Sequence, residues 1–287
     1  MDYDALAARW RGFEAATNIY RVDPRVDPLD DLDALAERAG LKRDSSRSWT
    51  EFGPLLELED ESRLVTVYRP SRAVQYVDRD RWQVDDGESN LDISDADAID
   101  AAVRAVDHLD LADGEVFTPE RVTRLHVASA EIGGEPAYPR VIDAGVILAR
   151  ELDGVPVLGQ GGCLVVYLDA KHELTGFERT ARRIAGIHEP VRALRTLDDV
   201  LGEVEDYWHL SRDSGFLVRD AHFGYLEFGR LQEQEYIQPV YTLDLRLPDQ
   251  DNEETRTVQH VVPAAVNGVG PLMPQATGPE SGTRPTG

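Results

Sequence analysis

Seven histidines, one cysteine and a large surplus of carboxylates are the side chains of this 287-residue sequence that could do chemistry. The histidines stand at 108, 126, 172, 188, 209, 222 and 260. No two are spaced i, i+3 or i, i+4, which would put two ligands on one helix face, and no H-E-x-x-H occurs. The spacing assigns no metal centre and no cofactor. Cys163 is the single cysteine, so no internal disulfide forms and no Cys-based zinc cluster is available. It opens the apolar run Leu164-Val165-Val166, where a small buried hydrophobe is expected rather than an activated thiolate. Ser129 and Ser211 lack the G-x-S-x-G elbow of an esterase nucleophile. Asp143, inside VIDAGVILA, is either a buried carboxylate with a raised pKa or the residue on the solvent side of the pleat; alternation favours the solvent side. Asp92, Asp95 and Asp97 lack the glycine and distal glutamate of a calcium loop, and acidic residues there complement a helix dipole. Gly159-Gln160-Gly161-Gly162 joins two strands instead of opening a helix, so its glycines supply positive φ for a hairpin or bulge, not a phosphate cradle.

The charge balance narrows the partners. Fifty-four acidic against 30 basic residues give −24, and no basic excess exists to displace counterions from a phosphate backbone, which excludes nucleic acid as a partner. No run of about 20 apolar residues encodes a membrane span. Of the basic residues 28 are Arg and two, Lys42 and Lys171, are Lys, while Asp outnumbers Glu 31 to 23. That composition fits an acidic protein of a GC-rich genome and, the reading preferred, a halophilic protein adapted to concentrated salt. Met1-Asp2-Tyr3-Asp4 lacks the basic and apolar regions of a signal peptide, so the sequence as given reads as cytoplasmic, or as extracytoplasmic if its true start lies upstream.

Three helices punctuate runs of strands. Ahead of these three, an additional short helix is expected from Tyr3 to Ala16, and a strand over TNIYRV, Thr17 to Val22. Leu29, Leu32, Leu35, Ala36 and Ala39 keep helical spacing from Pro28 to Leu41, with Gly40 where a C′ glycine belongs. Strands follow over Ser48 to Leu58, Leu64 to Tyr68 and Ala73 to Val77. Ser94, with Asp97 three residues on, caps a second helix carrying Ile99, Ala102, Val103, Val106 and Leu109. Strands are expected over Arg121 to Ala130, Arg140 to Arg150, Cys163 to Leu168 and Leu174 to Arg183. The last helix, Thr196 to about His209, has Leu197, Val200, Leu201, Val204 and Trp208 on one face and precedes strands over Gly215 to Phe228, Glu235 to Leu247 and Thr255 to Val262. This order predicts an α+β fold of two to three lobes, each one helix on a curled antiparallel sheet. The lobes are placed at 1–90, 91–190 and 191–266, with 267–287 as a disordered tail. Lobes of that size are marginal alone, so a sheet shared across a lobe boundary is expected.

Leu152 to Phe177, LDGVPVLGQGGCLVVYLDAKHELTGF, resembles the end of the propeptide domains of thermolysin-type and fungalysin-type metalloproteases and the related PepSY domains. QPVYTLDLRL and VQHVVPA, within Glu235 to Pro263, resemble two further strands of those domains, and IYRV at Ile19 to Val22 a shorter copy. The resemblance covers roughly residues 94–264 and implies cystatin-like lobes that dock on a protease as inhibitor or chaperone. Two departures stand out: the family's turn glycine is missing from Asp169-Ala170-Lys171-His172-Glu173, and no protease motif follows.

The function implied is a non-catalytic protein- or peptide-binding module using a sheet edge, with Tyr225, Tyr241 and Phe223 as contact residues. The rival is a hydrolase with Asp143, His126 or His172 as acid–base residues in a pocket between lobes. Aromatics at Tyr68, Tyr76, Trp82, Tyr207, Trp208, Phe216, Phe228 and Tyr236 are core, or a groove for a partner strand.

The charge generates a first prediction. At about 3 Å, the Debye length of molar salt screens carboxylate repulsion that dilute salt leaves intact. The thermal midpoint should therefore rise between about 0.1 M and about 2 M KCl; equal midpoints refute salt adaptation.

Overall fold

The computed structural model describes residues 3–10, 18–24, 29–41, 48–81, 91–127, 140–209, 217–248, 255–269 and 272. Ser129, Ser211, Trp82, Phe216 and most of the expected tail lie outside the described residues. In chain order the elements are α1 (Tyr3–Trp10), β1 (Asn18–Val22), α2 (Leu29–Arg38), β2 (Thr50–Phe52), β3 (Leu55–Glu59), β4 (Arg63–Tyr68), β5 (Ala73–Asp78) and α3 (Asp95–Leu109). Then follow β6 (Val116–Val127), β7 (Arg140–Leu152), β8 (Val155–Gly159), β9 (Cys163–Leu168), β10 (Leu174–Arg179), β11 (Ile184–Pro190), α4 (Leu197–Trp208), β12 (Leu217–Glu227), β13 (Tyr236–Pro248) and β14 (Thr255–Pro263). The fold is α+β and rich in antiparallel strands. The chain divides into a smaller unit, Met1–Ile19, His188–Phe223 and Gln238–Gly287, and a larger one, Tyr20–Ile187 and Gly224–Ile237.

In the larger unit the strand order runs β8-β7-β9-β10-β5-β4-β3-β2, with β6 beside β7. β10 pairs antiparallel with β5, Phe177 opposite Tyr76, and so joins strands of the expected first and middle lobes. Helices α2 and α3 share one core with these strands: Leu32 and Ala36 of α2 and Ala98, Ala102 and Val106 of α3 cluster with Val65, Val146, Leu164, Val166 and Phe177. Helix α3 starts as its spacing predicts, with the Asp97 N–H donating to Ser94 Oγ at 3.1 Å. Helix α2 ends with Gly40 at φ +92°; the Leu41 N–H reaches the Ala36 carbonyl at 2.9 Å, a Schellman closure. Helix α3 closes the same way on Asp110, at φ 55°, where no glycine signalled an end.

Strand β8 changes partner along its length. It pairs with β7 only at Glu151↔Pro156 and Leu152↔Val155, then runs parallel to β12, Tyr225 opposite Val157. The turn between β9 and β10 is held by Asp169, whose Oδ1 accepts the N–H groups of Lys171 at 2.8 Å and Glu173 at 3.0 Å. His172 takes the left-handed conformation, φ 61°, in place of a glycine.

Charge lies at the heart of this unit. Along β7 Ala144, Val146 and Leu148 point into the core, and the next inward residue is Arg150, fully buried. On β12 Glu227 is also fully buried. Arg150 Nη1 donates to Glu227 Oε2 at 2.9 Å and Nη2 to Glu115 Oε1 at 2.5 Å. The Arg182 N–H donates to Glu227 Oε1 at 2.5 Å. The Arg182 guanidinium donates to the carbonyls of Phe228, Gly229 and Gln232. Burial raises the Glu115 pKa and lowers those of Arg179 and Arg182. The glycine loop lies against this node. The Gly161 N–H donates to the Glu227 carbonyl at 3.1 Å. Gly162 has φ +69°, and a Cβ there would fall 2.3 Å from Val157 Cγ1 and 3.2 Å from Glu227 Oε2. The positive φ expected from the sequence is present, with a close approach that excludes any side chain.

In the smaller unit β13 and β14 form a hairpin registered from Val240↔Pro263 to Pro248↔Thr255. Helix α4 opens with a capping box between Thr196 and Asp199 and buries Leu197, Val200, Leu201 and Val204, as its spacing predicts. The Trp10 ring stands 3.9 Å from that of Tyr241, and its indole N–H and the Tyr241 hydroxyl both donate to the Arg195 carbonyl, at 3.3 and 3.4 Å. His260 on β14 is buried, its ring 4.9 Å from Tyr207 and 6.1 Å from Trp208 of α4. Neither ring nitrogen has a hydrogen-bond partner among the described residues.

Two predictions follow from these buried groups. Glu227→Gln keeps the shape but removes the charge that Arg150 and Arg182 share, and should lower stability by about 3–5 kcal/mol in urea unfolding; an unchanged midpoint would show that the charge is dispensable. Burial holds His260 below the ordinary histidine pKa, against a small opposing effect of Glu203. The unfolded chain takes up a proton near pH 6.5 that the folded unit refuses, so stability is full above that pH. It should fall by at most about 1.4 kcal/mol per unit as pH drops below it. In His260→Phe, Trp208 fluorescence melts should lose that component of the pH dependence; an unaltered profile refutes it.

Candidate functional site

The C-terminal ends of α2 and α3 meet the open end of the β4–β5 hairpin around a solvent-accessible pocket of about 360 Å³. Its wall includes Arg38, Arg63, Tyr76, Asp78, Arg81, Ala105, His108 and Glu173. Hairpin register builds the inner wall, placing Arg63 directly opposite Asp78. Arg63 Nε donates to Asp78 Oδ2 at 3.3 Å, and its Nη1 donates to the Gly40 carbonyl at 2.5 Å. Arg38 Nε donates to the Leu109 carbonyl at 3.1 Å. Each helix end, negative by its dipole, thus carries a guanidinium. Arg81 Nε lies 3.6 Å from Asp78 Oδ2, while its Nη1 binds Asp169 Oδ2 at 3.1 Å and Glu173 Oε2. The Glu173 hydrogen bond holds Arg81 above its ordinary pKa.

Asp78 is only 4% exposed, and its Oδ1 is buried without a hydrogen-bond partner among the described residues. Burial, with Asp78 adding to it, pushes the Tyr76 phenol up to about 12, so it stays protonated at neutral pH. The pocket lining contains no serine, threonine or cysteine. Chemically it is a recess with fixed charges of both signs.

The residues expected from sequence lie elsewhere. Tyr225, Tyr241 and Phe223 are 0%, 1% and 8% exposed. The Tyr225 ring lies 5.5 Å from Tyr20, and those of Tyr241 and Phe223 are 5.4 Å apart. Strand β12 is buried on both faces over its last five residues, so alternation there marks no free face. Asp143 is 1% exposed, a correction to its expected solvent-side placement, and accepts a hydrogen bond from Thr175 Oγ1 at 2.6 Å. Nearby on β7, a Cβ at Gly145 would meet its cross-strand neighbours, Thr123 Oγ1 at 2.7 Å and Tyr167 at 3.2 Å. His126 and His172 are exposed, and neither they nor Asp143 line the pocket. Cys163 is half-buried with its thiol 3.2 Å from Thr180 Oγ1, and burial pushes its pKa up, away from nucleophilic activation. Asp97 caps α3 and Asp95 pairs with Arg124 at 2.6 Å. No group of three metal-ligating side chains occurs among the described residues. No described helix is long and apolar enough to cross a membrane.

Arg38, Arg63, Arg81 and Asp78 were missed as site residues. The signal available was the pair of opposite charges bracketing the hairpin at Arg63 and Asp78.

No protein-family model matches the chain, and no curated protein matches it. Among solved structures, an uncharacterized protein from Eubacterium rectale ATCC 33656 is similar, with a TM-score of 0.50 and 13% identity over 88% of this chain and 85% of its own. At that identity the likeness concerns the fold alone.

Proposed function

We propose that the chain is a non-catalytic module of cystatin-like, PepSY-like lobes that binds a protein or peptide partner, and that its recognition element is the pocket at the ends of α2 and α3. One observation carries this reading. The pocket is open, walled by fixed charges of both signs, and lined by no hydroxyl or thiol nucleophile except a phenol held near pKa 12. Such a wall suits selection of a ligand by charge and shape. The propeptide resemblance supports docking as the mode of action. Burial of Tyr225, Tyr241 and Phe223 moves the contact away from those rings and onto this recess.

The test combines peptide arrays with a turnover screen. Short peptides should bind the intact chain, and Ala105→Phe, which fills the recess from α3, should reduce binding by at least about tenfold. His108→Trp, at an exposed position of the rim, serves if the first variant melts early. No turnover of ester, peptide, phosphoester or glycoside substrates is expected. Peptide binding indifferent to both substitutions would overturn the reading. So would activity that survives purification and vanishes in Asp143→Asn, His126→Ala or His172→Ala.

A further inference from the structure

We infer that the pocket seats a carboxylate on the guanidinium of Arg38, an inference that rests on the reading of this recess as a binding site. The wall carries three arginines, Arg38, Arg63 and Arg81, against two carboxylates, Asp78 and Glu173, with His108 beside them. In a chain of net charge −24, a recess with a basic surplus runs against the overall balance. The pairing within the wall shows where the surplus lies. Arg63 Nε donates to Asp78 Oδ2 at 3.3 Å. Arg81 Nη1 donates to Glu173 and, at 3.1 Å, to Asp169. Arg38 has no carboxylate partner among the described residues; its Nε donates to the Leu109 carbonyl at 3.1 Å, which holds the guanidinium in place. The side chain is exposed at the recess, so a ligand reaches it from solvent.

The two helix C-termini would oppose an anion if their carbonyls were bare. Here the Leu109 carbonyl takes Arg38 and the Gly40 carbonyl takes Arg63. The Ala36 and Val106 carbonyls take the N–H groups of Leu41 and Leu111, at 2.9 and 3.0 Å. A guanidinium whose Nε is committed still offers a parallel pair of N–H groups from Nη1 and Nη2, which matches the two oxygens of a carboxylate. His108 lines the same recess and can add one N–H. Three arginines less two carboxylates leave one positive charge in the wall, with His108 neutral. A monoanion balances that charge, whereas a phosphate dianion would set excess negative charge against Asp78 and Glu173. The same carboxylate chemistry is carried by an acidic side chain of a partner peptide and by a small free acid.

Calorimetric titration of the full chain separates these sources and tests the inference, with KCl at the lowest concentration that keeps the chain folded. The probes are N-acetyl-glutamate methylamide, its glutamine counterpart, butyrate and inorganic phosphate. The glutamate probe should bind at least about tenfold more tightly than the glutamine one, and Arg38→Gln should bring the two level. Because Arg38 also caps Leu109, Ala105→Phe provides a second variant that leaves the guanidinium intact and should block both carboxylates. Equal binding of the glutamate and glutamine probes overturns the carboxylate inference, and so does phosphate binding more tightly than either acid. If array peptides remain sensitive to Ala105→Phe while no carboxylate binds, the inference fails and the binding-module reading stands. If butyrate binds and loses affinity in Arg38→Gln while no array peptide binds, the inference stands and the protein-partner reading fails. Absence of binding by any peptide or acid sinks both.

Discussion

Glu227 is the constraint around which the larger unit is arranged. A fully buried carboxylate is tolerable only when its charge is met and its lone pairs are filled. Here Arg150 supplies the charge from β7, and the backbone and guanidinium of Arg182 supply the rest from the segment after β10. Three segments distant in sequence must therefore converge within hydrogen-bond reach. Removing one partner alone would leave an uncompensated buried charge, which is far more costly than replacing the whole set with apolar residues of equal volume. The glycine loop follows from that demand. Gly161 donates to the Glu227 carbonyl and Gly162 leaves no room for a Cβ beside the carboxylate, so the β8–β9 connection is shaped by its fit to the ion pair.

The pocket arises from a different economy. Two helices lying on one sheet end at the same level, and two helix ends expose carbonyls that need donors. Arg38 and Arg63 answer that need from the neighbouring helix and strand rather than from solvent. Once the arginines are committed to carbonyls, the space between them becomes a recess with Asp78 at its back. The arginines of the wall also cap the helix ends, so the positions of its charges are set by the fold itself.

Local signals were legible in the sequence, and long-range ones were not. Ser94 with Asp97, Thr196 with Asp199, and Gly40 after α2 are encoded within a few residues, and the structure uses each as its type predicts. The strand expected over Cys163 to Leu168 forms as β9, and its Leu164, Val166 and Leu168 lie in the core shared with α3. The partner of β8 was not legible, because β8 exchanges β7 for a parallel strand 68 residues on, and no turn or period encodes such an exchange. Asp143 was misplaced since alternation names a face without saying whether water reaches it; here the carboxylate is buried and accepts from Thr175 Oγ1. The pocket was illegible for the same reason. The hairpin pair Arg63 and Asp78 was visible, but its meeting with two helix ends depends on the β5–β10 pairing.

The arginine bias also acquires a structural meaning. Composition alone accounts for 28 arginines against two lysines by codon usage or by salt. The interior positions demand more than charge. Arg182 reaches three separate carbonyls with one planar group, and Arg150 bridges two glutamates from opposite sides of its fork. An ammonium, with three donors at one point, cannot span either set, so Arg→Lys there would leave a glutamate or carbonyls unmet in the core. Surface pairs such as Arg79 with Glu59 tolerate that exchange, because water completes whatever the lysine leaves. One compositional bias thus covers two situations: on the surface arginine is interchangeable, while at the buried node the planar guanidinium meets acceptors that a lysine could not reach together.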